Sequence, residues 1–197
     1  MTLLDEARRW AAARRPGAAK LPKRVALRQR VASDVGIGAI AAIVMDRTTT
    51  LVMSKQSEVS LEREKKASPE GVPAAAGRKL ASLFGVRPSD ETARKAGMAV
   101  HGSLGLAGGA LVSEAARRSS NTIVAALVAS LVLWLVLDEG LAAALGLAPP
   151  PADYPLQTHL RGLLGHLAFG LTIGALLEAG SAGLWSGGAR RIARLRR

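Results

Sequence analysis

Two stretches decide the fold: GMAVHGSLGLAGGAL at residues 97–111 and GLLGHLAFGLTIGAL at residues 162–176. They align without a gap. Gly97 stands with Gly162, His101 with His166, Gly105 with Gly170 and Gly109 with Gly174, and both close on Gly-Ala-Leu. A run this apolar and this rich in glycine reads as a membrane helix. Glycine at every fourth position strips one face, so a neighbouring backbone can approach closely. Lipid provides no hydrophobic drive for helices to associate, and close packing takes its place. The spacing puts His101 and His166 on the same stripe as the glycines. Both rings are therefore expected to face protein.

The rest of the chain fits a polytopic membrane protein. Its 197 residues carry a formal charge of +12 and are 49% hydrophobic, and the mean hydropathy is positive at +0.20. These properties coexist because they are segregated. Charge lies in residues 1–30, 54–95 and 190–197, with apolar runs between. A helix needs about 20 residues to cross the hydrocarbon. Four such helices are expected, near residues 31–53, 93–112, 122–145 and 156–177. They make an all-α membrane domain over residues 31–180. Residues 1–30 read as a basic amphipathic segment ended at Pro16-Gly17, residues 54–92 as an outer loop and residues 181–197 as a basic tail. No cleavable signal is expected, because the first 30 residues hold no apolar core.

Helices one and three also resemble each other. Val44-Met45-Asp46 matches Val136-Leu137-Asp138 in kind, and each closes an apolar run with an aspartate. The expected unit is a hairpin: a helix ending in Asp, a connection, then a helix with the Gly/His seam. Two such hairpins in tandem give the four helices. Two points stay open. Helix one either carries Asp46-Arg47 or stops there. Helix three either ends at Asp138 or continues toward the prolines at 149–151, which terminate it.

Lysine and arginine set the orientation. Residues 1–30 carry nine, the turn after helix two carries Arg117 and Arg118, and the tail carries five. Both termini are therefore expected in the cytoplasm, with Tyr154 and Trp185 as interfacial anchors. The basic ends are expected to meet anionic lipid. Nucleic acid is not expected, since no aromatic interleaving or recognition motif accompanies the charge.

Four ionisable residues form the candidate site: Asp46, His101, Asp138 and His166. The expected arrangement is one polar layer in the outer half of the membrane, with Glu139 and His159 nearer the rim. Intramembrane ionisable groups point to function by default. The structural reading makes the histidines polar glue and the aspartates helix-end caps. Against it stand proton or ion handling, b-type haem held by His101 and His166, and a divalent metal on two His and two Asp. The absence of cysteine removes disulfides, thiolate zinc sites and thiol catalysis. His101-Gly102-Ser103-Leu104-Gly105 only nears the nucleophile-elbow pattern and lacks its strand-to-helix context. No catalytic residue is expected, and the chain is read as a non-enzymatic packing or accessory subunit with membrane-protein partners or copies of itself.

VMDRTTTLVM, EREKKASPEG, HGSLGLAGGAL, LDEGLAAALGLAPPP and GHLAFGLTIGALLE, in this order over residues 31–179, also suggest a family. The chain resembles the YagU-like proteins of the bacterial inner membrane, although Leu104 stands where that family tends to have an aromatic residue. The resemblance implies a helical inner-membrane protein linked with acid tolerance. It assigns no catalytic residue.

The orientation predicts that a membrane-impermeant thiol reagent added to intact cells labels a cysteine introduced at residues 60–70. Labelling there only from the cytoplasmic side would invert the topology.

Overall fold

A computed structural model describes residues 23–181. The chain divides into two compact units, Met1–Ala32 and Ser33–Arg197. The first contributes only the opening turns of one helix to the described residues. The amphipathic segment expected before residue 23, Trp185 and the basic tail lie outside them.

Among the described residues the fold is all helical, and four helices are long and apolar enough to cross a membrane. We number the helices α1 (Lys23–Met53), α2 (Glu58–Ala67), α3 (Gly71–Ser82), α4 (Asp90–Arg117), α5 (Thr122–Val136) and α6 (Leu156–Ser181). Helix α1 does not stop at Asp46-Arg47 but carries both charges through to Met53. Helix α5 does not end at Asp138 either. It passes through a π turn, Leu137–Leu141, into a last turn, Ala142–Ala144. The terminator is Gly146, with φ +64°, several residues before the prolines. Its left-handed backbone lets the Gly146 and Leu147 N–H groups bond back to Ala143 and Ala142.

The expected outer loop is largely helical. Ser57 caps α2 by accepting from the Ser60 N–H, Ser89 caps α4 by accepting from the Thr92 N–H, and Asn121 caps α5 by accepting from the Val124 N–H. Asp90 and Glu91 add negative charge at the α4 N-terminus, which begins earlier than its apolar run suggests. Helix α3 lies on the first turns of α4. A Cβ on Gly77 would overlap the Ala93 carbonyl, and one on Gly97 would overlap that of Pro73. Arg78 joins Glu70 at 2.6 Å and Asp90 at 3.0 Å, and those two hydrogen bonds raise the guanidinium pKa above its ordinary value. Arg161 of α6 binds Glu64 of α2 through both terminal nitrogens, at 2.5 and 3.0 Å, and so clamps α2 onto the spans.

Two antiparallel glycine contacts organise the spans. In the first, Gly38 of α1 lies on Gly109 of α4, where a Cβ on Gly38 would sit 2.9 Å from the Gly109 Cα. One turn on, a Cβ added to Gly105 would reach ordinary contact distance from the Ala42 Cβ. Toward the Arg117 end, the same stripe finishes in an ion pair. Asp34, 4% exposed, receives both terminal nitrogens of Arg117. In the second contact, Gly170 and Gly174 of α6 lie on α5. A Cβ on Gly170 would fall 2.7 Å from the Ala126 carbonyl oxygen, and one on Gly174 would fall 2.8 Å from the Ile123 Cα. The core between the pairs is built of Ala41, Val112, Ala116, Ala126, Phe169 and Ile173. Small residues at a membrane-helix interface maximise van der Waals contact. Large apolar side chains such as Ile43, Leu51, Leu111 and Val128 point outward instead, as lipid-facing surfaces require.

These contacts predict two results, both read by equilibrium unfolding in mixed micelles. Gly109→Leu should lower stability by about 1–3 kcal/mol, the usual range for overpacking. Arg117→Ala should cost about 3 kcal/mol or more, because it strands the buried Asp34 carboxylate. Asp34→Ala/Arg117→Ala should cost less than Arg117→Ala alone. Additive losses would mean that the two side chains are not coupled.

Candidate functional site

The π turn is where the structure gathers its polar chemistry. In a π turn one extra residue enters the helical circuit, and such turns are common at functional positions. This one holds Asp138 and Glu139, and each carboxylate reaches a different histidine of α6. Asp138 Oδ2 lies 3.4 Å from His166 Nε2, and Glu139 Oε1 lies 2.8 Å from His159 Nδ1. The histidines are seven residues apart, two helical turns, so they share one face of α6.

His166 is 7% exposed. Its ring lies 6.2 Å from that of Phe169. The Ser130 hydroxyl donates to the His166 main-chain carbonyl at 2.7 Å and stands 3.4 Å from Nδ1. Its single hydrogen is spent on the carbonyl, so toward Nδ1 it can only accept. Nδ1 therefore faces an acceptor, and Nε2 faces a carboxylate. His159 is placed similarly. Its Nε2 meets the Pro151 carbonyl at 3.0 Å while Nδ1 meets Glu139. Two histidine–carboxylate pairs thus stack along α6, one near its start and one two turns further in.

Glycine explains why His166 is held so closely. Gly162, Gly170 and Gly174 bracket it, and each meets α5: Gly162 at the Trp134 indole, Gly170 at Ala126 and Gly174 at Ile123. Trp134, Ser130 and Ala126 are themselves four apart. Two four-residue ridges run together, and His166 lies within the contact.

The other expected members are elsewhere. His101 is exposed, and so is Asp46. Neither makes a side-chain hydrogen bond or ion pair among the described residues. The expected single seam through Gly97, His101, Gly105 and Gly109 does not form. A four-residue step overshoots one helical turn by about 40°, so three steps rotate the row by about 120°. Gly97 therefore faces α3, while Gly105 and Gly109 face α1. His101 lies between these faces, on neither. On the other helix, Met45 and Thr49 of α1 turn to Gly165 of α6, which draws α1 away at that level.

This geometry decides two of the ligand readings. The expected metal site of two His and two Asp does not assemble, and the described residues contain no group of three or more His, Asp or Glu placed to hold a metal ion. Bis-histidine haem does not fit either. His101 and His166 do not face each other, both nitrogens of His166 already face Ser130 and Asp138, and the surface beside Gly170 is filled by α5. Ser103 donates its hydroxyl to the Ala99 carbonyl within α4 at 2.8 Å, an ordinary helical bond with no activating base.

Sequence reasoning misses Asp34, Ser130 and the Arg161–Glu64 clamp. Asp34 is visible as a lone acid four residues before Gly38, but Arg117 reads in the sequence only as an orientation marker. Comparison with protein-family models, with curated proteins and with solved structures finds no match.

Glu139→Ala leaves a partly buried ring nitrogen without its partner and should lower stability by about 1 kcal/mol. His159→Phe/Glu139→Leu should recover part of that loss. Unfolding curves that match the parent for Glu139→Ala would remove the Glu139–His159 pair as a structural contact.

Proposed function

We propose that this chain is a non-enzymatic packing or accessory subunit of a membrane complex, seated in the bacterial inner membrane with both termini in the cytoplasm. The observation that supports it is the placement of Asp46, Arg47 and His101. All three lie on outward faces of the spans. Asp46 and Arg47 lie within the apolar span Leu27–Met53. An ionised side chain inside a span is costly unless it is paired or reaches water. Nearby, Gly102 has nothing within 4 Å of the place a Cβ would take. Polar groups beside an open, small-residue surface are what a partner helix would cover. The resemblance to YagU-like proteins fits this reading and rests on the motifs alone.

The test is native mass after extraction in mild detergent. The expected result is a species heavier than one 20.4 kDa chain, reduced to a single chain by Gly102→Trp. A single chain for the parent protein, in both detergent and nanodiscs, would sink the reading.

A second reading has its own observation: two imidazoles of α6 lie beside two carboxylates of the π turn, Glu139–His159 at 2.8 Å and Asp138–His166 at 3.4 Å. A protein that binds or passes protons would use such groups. Liposome proton flux that falls at least tenfold in Asp138→Asn would favour it. Flux equal to that of empty liposomes in the parent protein would end it.

A further inference from the structure

The exposed polar residues of α1 and α4 also indicate which partner they meet. Asp46 and Arg47 are adjacent and opposite in charge. Neighbouring residues on a helix point about 100° apart, so they do not pair with each other. Neither has a partner among the described residues, and both sit among outward apolar side chains: Ile40, Ile43 and Leu51 are 45%, 61% and 64% exposed. The α1–α4 register places Gly38 on Gly109 and Ala42 at Gly105. One more step in each direction brings Asp46 level with His101.

We infer that this face docks a second copy of the same chain, with Asp46 of each copy paired to Arg47 of the other. The inference rests on the accessory-subunit reading and names its partner. Two copies inserted the same way can share only a twofold axis along the membrane normal. Residues that meet across such an axis must lie at nearly equal depth. Asp46 and Arg47 differ by one residue, about 1.5 Å along the helix. A twofold interface must also be self-complementary, so that a contact made once is made twice. A carboxylate beside a guanidinium meets that requirement. A patch of one sign would have pointed to a different protein. Gly102, with open space at its Cα, lets the copies approach beside His101.

The chain has no cysteine, so any disulfide formed within the protein after one substitution must join two copies. Ile43→Cys and Gly102→Cys would be made separately and oxidised in native membranes. The expected product, from at least one of them, has twice the chain mass. Its yield should fall at least tenfold when Asp46→Arg or Arg47→Asp is added, and should return in the Asp46→Arg/Arg47→Asp swap. Should a charge reversal prevent insertion, Asp46→Asn and Arg47→Gln give the same direction with less disruption. A dimer indifferent to all four single changes would overturn the charge pairing. If either cysteine variant formed adducts only with a different polypeptide, the second-copy inference would fall while the accessory reading stood. Monomeric protein with no adduct from either variant would overturn both.

Discussion

The missing Cβ is the constraint on which this fold depends. At Gly38–Gly109, Gly170–Ala126, Gly174–Ile123 and Gly97–Pro73, a single added carbon would meet the backbone of another helix. In water, burial of large apolar side chains would hold such helices together. In lipid that term vanishes, since a leucine gains nothing by leaving acyl chains for a protein neighbour. What remains is dispersion between closely placed backbones and a few polar contacts. This explains a core of Ala41, Ala116 and Ala126 with few bulky residues, while Ile43, Leu51 and Leu111 face outward. It also sets the site. Ser130 reaches the His166 carbonyl only because Gly170 lets α6 rest on α5.

Much of this was legible in the sequence. Four spans followed from apolar run length, and the α6 seam from Gly162, Gly170 and Gly174. Glu139 and His159 do meet, in keeping with the common level that the sequence suggests for them. The failures share a cause. A four-residue spacing is not a straight stripe on an α-helix, and it stays in contact only when the partner helix runs along it. The α5 row Trp134–Ser130–Ala126 does so for α6. For α4, two partners divide the row, so Gly97 and Gly109 serve different helices and His101 is left outward. Nothing in GMAVHGSLGLAGGAL encodes how many neighbours that helix has. The π turn was invisible for a related reason: Leu-Asp-Glu-Gly-Leu is not itself a π sequence, and nothing in it encodes which residues of α6 its carboxylates lie beside.

The polar residues within the spans fall into two sets with different consequences. Glu139 bonds His159, and Asp138 lies near His166, between the π turn and α6. Asp46, Arg47 and His101 satisfy nothing within the described residues. The aligned histidines of the two glycine motifs thus end in opposite environments. Likeness of sequence carried over the helix contacts of the last two glycines, and not the role of the ring.

Asp34 and Arg117 lie 83 residues apart in the chain. Chains are made at about 5–20 residues per second, which separates the two by about 4–17 s of synthesis. Throughout that interval α1 holds an acid whose counter-ion does not yet exist. The contact that buries Asp34 is therefore a late one: it can form only once α4 has been made, and until then the carboxylate has no guanidinium to receive.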